Sequence, residues 1–406
     1  MRGGMEGFVL PVETLRRRRG AKWHAHGPDV LPAWLAEMDF AVAEPVQRAI
    51  ARVVDEGDYG YPHRTGADRV EAAFARRMHE RFGWAADPAR AVPVADLVQA
   101  LVAAVVAFSE PGEGVVVQSP IYPPFLHAIA GSGRRRVLNP LVDDGRRLAV
   151  DPEGLSRAVD AGTRMVLLCN PHNPSGRVLE RAELEAIGRV AVERDLVVVA
   201  DEVHCDLVYP GARHVPLATL GEDVAARTVT INSATKSFNI PGLRCGVMHF
   251  GSDALLRRFR ATFPDRLLGS VSTPGVDATV AAWREGQPWL DAVMELLRAN
   301  RDRLAAWADG EAPGVRHHRP EATYLAWLDC AGLATPGAGP RRFFLDEARV
   351  ALHGGPEFGP GGETCVRLTF ATSPAILEEL LGRMSEAIRR HAGGRRQAGR
   401  GPGGGL

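Results

Sequence analysis

The chain has almost no lysine. Only Lys22 and Lys236 occur among 49 basic residues, so arginine supplies the remaining 47. Chemistry that needs a side-chain amine therefore has two candidates. Neither sign of charge is in excess: acids and bases number 49 each and the formal net charge is zero. That excludes a binder that grips nucleic acid mainly by charge, which carries a basic surplus. Cysteine is sparse as well. Five residues (Cys169, Cys205, Cys245, Cys330, Cys365), an odd number without CxxC spacing, exclude a disulfide framework and a structural zinc site. They fit a reduced, cytoplasmic protein. There is no run of 18 apolar residues to span a membrane. Early charges at Arg2 and Glu6 leave no continuous apolar h-region, so no secretory signal is expected. The 45% hydrophobic content and low net charge exclude a disordered chain. The arginine bias, together with Ala, Gly and Pro richness, also fits a GC-rich genome.

What is present is an alternation of helical and strand patterns from about residue 44. Pro45–Ile50 opens a helix with proline in its first turn. Ala67–Arg81 is amphipathic, and Val98–Phe108 is apolar nearly all round, which predicts a buried helix. Short apolar runs at Gly114–Gln118, Met165–Cys169, Leu196–Ala200 and Thr228–Ile231 each end in polar residues. Helical stretches at Leu155–Asp160 and Arg181–Arg194 lie between them. This pattern predicts an α/β domain with a mainly parallel sheet, whose ligands sit at the carboxyl ends of its strands. Past residue 280 the character changes. Trp289–Ala308 reads as a helix, Ala322–Asp329 and Cys365–Phe370 as strands, and Pro374–His391 as a closing helix. The expected division is an arm with part of a small domain (1–45), a large domain (46–280), a small α+β domain (281–392) and a disordered tail (393–406). The basic run Arg16–Arg19 reads as a solvated or subunit-covering segment.

The four strand ends carry distinct chemistry. Lys236 follows one of them in Ser233-Ala234-Thr235-Lys236-Ser237, with Arg244 eight residues on. Small hydroxyls and an arginine suit a phosphate, because both donate to its oxygens. A lysine beside a phosphate pocket points to pyridoxal phosphate in Schiff-base linkage. Asp201 ends the run Val197–Ala200, where a carboxylate can face a pyridine nitrogen; taken alone it could equally be a metal ligand or a helix cap. Asn170–Gly176 holds two Asn-Pro pairs, a constrained turn that can present an amide. Ser119–Phe125 offers Tyr122 as a ring to stack on a flat cofactor.

In this order the four segments resemble the fold-type I pyridoxal-phosphate enzymes of the class I/II aminotransferase superfamily, over roughly residues 15 to 390. The finer likeness is to the cystathionine β-lyase-like branch of carbon–sulfur lyases. It is carried by Trp34–Phe40, Tyr59–Pro62, Ile121–Phe125, Asn170–Gly176, Asp201–His204 with Val208–Gly211, and Phe358–Glu363 with Val366–Leu368. The resemblance implies a seven-stranded-type sheet in the large domain and the following roles. Lys236 binds the cofactor and shuttles the Cα proton. Asp201 pairs with the pyridine nitrogen, Asn173 donates to the phenolic oxygen with help from His204, and Tyr122 stacks on the ring. Ser233 and Arg244 hold the phosphate with backbone amides at Leu97 and Val98. Tyr61 reaches the phosphate of a neighbouring subunit, implying a homodimer. Arg367 clamps the substrate carboxylate, with Ala36 beside it.

Two departures stand out. Asp96 occupies a place where the phosphate loop usually has glycine or another small residue, and is expected to cap its helix. Arg244 is commoner in aminotransferases than in the lyase branch. The implied function is β-elimination from an S-substituted L-cysteine, giving thiol, pyruvate and ammonia. Transamination, or decarboxylation coupled to deamination of a cysteine S-conjugate, stays open. A regulatory protein built on this fold is disfavoured, since only about 30 residues precede the fold. The remaining residues read as structural: His317-His318 as a surface pair, Cys169 and Cys205 as space-filling, Trp283 and Trp289 as packing, Glu202 as a support.

Overall fold

The computed structural model describes residues 7–264, 267–333, 335, 337 and 339–398. Seven strands form the main sheet: β1 (Ala91–Val94), β2 (Gly114–Ser119), β3 (Arg135–Pro140), β4 (Thr163–Cys169), β5 (Val197–Asp201), β6 (Thr228–Asn232) and β7 (Gly246–Phe250). Their order is β1-β7-β6-β5-β4-β2-β3. All run parallel except β7, which is antiparallel to both of its neighbours. Each of the four runs expected to be strands is one, within one or two residues at either end.

Both faces of this sheet are covered, and the side chains alternate between the two cores. Val115, Val117, Met165, Leu167 and Val199 pack on the face that holds the Leu97–Phe108 helix. Val116, Val166, Leu168, Val198 and Ala200 pack on the opposite face, with the Arg181–Glu193 helix. Successive side chains of a strand point to opposite sides, so continuous apolar runs are the expected sequence of such strands. Trp283, expected as packing, is buried in a third core, against which Trp289 is packed.

A second sheet contains β8 (Arg316–His317), β9 (Leu325–Asp329), β10 (His353–Gly354) and β11 (Cys365–Thr369), in the order β8-β9-β11-β10. β9 starts three residues later than expected. Thr323 takes a left-handed φ of 68°, which ends any extended run through it. Its carbonyl accepts a hydrogen bond from Tyr209 Oη at 2.7 Å instead. Long helices, Gln287–Gly310 and Pro374–Ala398, pack against each other beside this sheet. The closing helix continues past His391 to Ala398, so the first part of the expected tail is helical; residues 399–406 lie outside the described residues.

Two further expectations need correction. His317 and His318 are half-buried rather than a surface pair, and His318 Nε2 lies 3.1 Å from Asp143 Oδ1. Burial holds the His317 imidazole down at about 4. The amphipathic stretch expected from Ala67 begins as a 3₁₀ turn at Gly66–Asp68, and its α-helix runs Val70–Phe82 to a left-handed Gly83. The five cysteines are free and buried. No described helix is long and apolar enough to cross a membrane.

Candidate active site

The strand order brings the expected site together. β6, β5, β4 and β2 are consecutive in the sheet, and their carboxyl ends lead into Ser233–Lys236, Asp201, Asn170–Gly176 and Ile121–Tyr122. β7 runs the other way, so its amino end, just after Arg244, falls at the same edge. β1 ends there too and passes through Asp96 into the Leu97–Phe108 helix. A cavity of about 260 Å³ opens at this edge, lined by Asp96, Leu97, Val98, Tyr122, Asp201, Ser233, Thr235, Lys236 and Arg244 among others.

Strand parity explains which acid faces it. Asp201 shares the parity of Val197 and Val199, on the face of the Leu97–Phe108 helix. Glu202 has the opposite parity and turns to the other core. There it accepts from Leu217 N at 3.0 Å and lies 3.2 Å from His214 Nε2. The supporting role expected for Glu202 is what this geometry provides. Burial pushes the Asp201 carboxyl up to about 6, against the pull of the Val203 N–H and the Lys236 charge.

Lys236 is buried, and its Nζ donates to the Ala36 carbonyl at 3.0 Å. Burial lowers its amine to about 8, with the Arg367 charge acting in the same direction. Arg367 is 2% exposed, and no described carboxylate lies within ion-pair distance of it. Its Nη1 donates to Asn173 Oδ1 and its Nη2 to Trp34 O, each at 3.0 Å, while its Nε has no partner. Burial lowers it only to about 10, so it stays charged at neutral pH. A buried cation held by neutral groups alone is costly, and an arriving anion relieves that cost. The Arg367 bond also orients Asn173. A guanidinium can only donate, so the amide oxygen faces it and Nδ2 is left free to donate elsewhere.

His204 is buried against Tyr324, and its Nδ1 is unpartnered. Burial, with the charges of Lys236 and Arg367, lowers it to about 3, so the ring is neutral. Tyr122 stands at the amino end of the Pro123–Gly131 helix and walls the cavity. The Asn170–Gly176 turn ends on Gly176 at φ 72°, where a Cβ would stand 2.4 Å from Pro320 Cβ. Only glycine fits that backbone and that approach.

At the phosphate end the structure differs from the simplest expectation. Asp96 is the cap: its Oδ1 accepts from Gln99 N at 2.9 Å. Its other oxygen pairs with Arg244 Nη1 at 3.0 Å. Ser233 Oγ donates to Cys245 O at 2.7 Å and accepts from Thr235 N. Its single hydrogen is therefore engaged within the protein, while Thr235, another of the small hydroxyls expected to suit a phosphate, lines the cavity. Tyr61 is 92% exposed and does not line this chain's own cavity. Sequence reasoning also missed Tyr324, whose hydroxyl donates to Ala36 O at 3.2 Å, and Asn239, whose side chain binds Met38 and Phe40. Nothing in their local sequence marks them, because their partners lie some 200 or more positions away.

The groups fit a flat phosphorylated pyridine aldehyde such as pyridoxal phosphate. There is one buried amine, a carboxylate on the far side, a free amide donor, an aromatic wall, and a helix N-terminus with a cation. The sequence model of the family "Aminotransferase class I and II" matches residues 36–384. The cystathionine beta-lyase PatB of Bacillus subtilis is 35% identical, over 91% of this chain and 97% of its own. A cystathionine beta-lyase of Corynebacterium glutamicum is 34% identical, over 93% and 99%. The structure of a PLP-bound C-S lyase from Staphylococcus hominis superimposes with a TM-score of 0.85 at 26% identity, covering 92% of this chain and 96% of that one.

Proposed function

The chain belongs to the class I and II aminotransferase family and is a pyridoxal-phosphate-dependent enzyme, and we propose that it is a carbon–sulfur β-lyase acting on an S-substituted L-cysteine. The observation that carries the substrate reading is Arg367, a buried cation with no carboxylate partner among the described residues, bridged to Asn173 at 3.0 Å. It suits the α-carboxylate of an amino acid. The names of the relatives support elimination over transamination.

Pyridoxal phosphate, when bound, supplies an electron sink for the pair left behind as the Cα–H bond breaks. Lys236 would hold it and, once released by the incoming amine, take the Cα proton. With its pKa lowered to about 8, a useful fraction of this amine is already neutral near pH 7. Asp201 would stand at the pyridine nitrogen and stabilise its protonated form, and Asn173 Nδ2 would be free to donate to the phenolic oxygen. Tyr122 would wall the ring, and Arg244, Thr235 and the amides of Leu97 and Val98 would hold the phosphate. Arg367 would bind the substrate carboxylate. Loss of the Cα proton and of a thiolate from Cβ, followed by addition of water, converts the S-substituted cysteine to thiol, pyruvate and ammonia.

A homodimer with shared sites belongs to this reading. Tyr61 and Tyr59 are 92% and 71% exposed, and Leu267, next to the Leu268 that shares a surface pocket with Tyr61, is 65% exposed. In this reading the exposed Tyr59 and Tyr61 are covered by the second copy, with Tyr61 entering its site. Transamination is the second reading, favoured by Arg244 at the phosphate end. Purified protein incubated with S-methyl-L-cysteine, with and without a 2-oxo acid, separates the two. Thiol and pyruvate release without the 2-oxo acid is expected; strict dependence on it would replace the lyase reading. Lys236→Ala should abolish both turnover and the visible absorbance of the bound cofactor.

A further inference from the structure

The other lysine is also buried. Lys22 is 1% exposed, and its Nζ lies 2.8 Å from Asp39 Oδ2, itself 2% exposed. The same Nζ donates to Glu37 O at 2.9 Å. Trp23 Nε1 donates to Asp39 Oδ1 at 2.8 Å, and Trp34 Nε1 donates to Lys22 O at 3.3 Å. The arm is thus bound at several points to the strap Ala33–Asp39.

That strap has no regular secondary structure between Ala33 and Asp39. Its ends are tied to the second sheet and its surroundings, by Thr369 N to Ala33 O at 2.8 Å and Asp39 N to Ala371 O at 2.9 Å. Between these ties its carbonyls face the reacting groups. Trp34 O accepts from Arg367, and Ala36 O accepts from both Lys236 and Tyr324. A segment without ladder hydrogen bonds takes its position from side-chain contacts, and a buried ion pair at 2.8 Å draws the two segments together even though Asp39 Oδ2 makes no hydrogen bond of its own.

We infer that Lys22 and Asp39 form a positioning pair for the substrate site. By holding Glu37 O and the Asp39 carboxylate, the pair sets where the Trp34 and Ala36 carbonyls stand. Through Trp34 O it sets the Arg367 guanidinium against the incoming amino acid. The inference rests on the reading that Arg367 receives the α-carboxylate.

The test compares holoenzymes carrying Lys22→Met, Trp23→Phe, and Lys22→Met with Asp39→Leu. For Lys22→Met the KM for S-methyl-L-cysteine should rise about tenfold with kcat within about threefold, the signature of lost ground-state binding. The cofactor dissociation constant should stay within about twofold, because the phosphate end is not touched. The double variant removes both charges, so it should regain thermal stability yet keep the raised KM. A restored KM there, an unchanged KM in folded Lys22→Met, or a cofactor affinity that falls in step with KM would overturn the inference. If Lys22→Met does not fold, Trp23→Phe decides. It deletes one hydrogen bond to Asp39 and should raise KM about threefold; an unchanged value refutes the pair. The spectral dissociation constant for L-alanine is read in parallel. It needs no C–S cleavage, so the pair is decided even where the wild type releases no thiol from S-methyl-L-cysteine, an outcome that bears on the lyase reading alone.

Discussion

Asp96 Oδ2 stands 3.0 Å from Nη1 of Arg244, so the cation expected to meet the phosphate already has an anionic partner at the mouth of the cavity. The same carboxylate caps the Leu97–Phe108 helix through Gln99 N. Asn is as good a cap as Asp, so Asp96→Asn isolates the charge. Removing a carboxylate near a bound phosphate should tighten the cofactor by about fivefold, roughly 1 kcal/mol of screened repulsion. Arg244→Ala should loosen it about tenfold or more, the worth of a charge-assisted hydrogen bond. In the Arg244→Ala background the gain from Asp96→Asn should be larger, since Asp96 is then unpaired. Cofactor titration followed by fluorescence measures all three; equal gains in both backgrounds would show that the pair does not persist when phosphate binds.

Cofactor capture should depend on pH through Lys236. Burial, helped by the Arg367 charge, lowers its amine to about 8. Only the neutral amine attacks an aldehyde, so the capture rate of apoprotein should rise about tenfold per pH unit up to about 8 and then level off. Arg367→Gln removes a neighbouring positive charge and should move the midpoint upward. Stopped-flow absorbance at a series of pH values checks both. A rate still climbing at pH 10 would place the amine in its ordinary range.

Asp201→Asn should leave the cofactor bound and slow the reaction. The amide is nearly isosteric but cannot hold a protonated pyridine nitrogen as a carboxylate does. A kcat loss of about 10²–10³-fold is expected, comparable to losing one preorganised electrostatic contact. Single-turnover kinetics with cofactor-saturated protein measures it. A loss confined to KM would assign Asp201 a different role.

Shared sites can be tested by mixing inactive chains. Tyr61→Ala and Lys236→Ala homodimers should each be strongly impaired. In a mixed dimer one site has Lys236 from one chain and Tyr61 from the other, both intact. Random re-association should restore about a quarter of the wild-type sites. No recovery from a re-associated sample of confirmed dimers would show that Tyr61 serves its own chain's site, or neither.

How far the sequence reaches is clearest at particular residues. The parallel strands and the segments after them were legible, because apolar runs buried on both faces have a local signature and polar residues follow each run directly. Lys236, Asp201, Asn173 and Tyr122 were found for that reason. The same scarcity of lysine that singled out Lys236 applied equally to Lys22. Its neighbours along the chain, Ala21 and Trp23, include none that suit a phosphate, and nothing local points to Asp39. Asp39, Tyr324 and Asn239 had no local mark at all. Arg244 was assigned to the phosphate from its position in the chain, and only the fold showed Asp96 at its side.

By itself, then, the sequence determined the period of each element, the order of the reactive segments, and the one lysine placed among phosphate-suited hydroxyls. Those are properties of neighbours along the chain, where spacing alone decides which face a side chain takes. The tertiary structure decided which distant groups meet: Lys22 with Asp39, Lys236 with Ala36, Arg367 with Asn173, Asp96 with Arg244. Partners separated by up to 200 residues are set by strand order and by the reversal of β7, and burial then shifts the charges they carry. Neither the sheet order nor the burial is written in any local window of the chain.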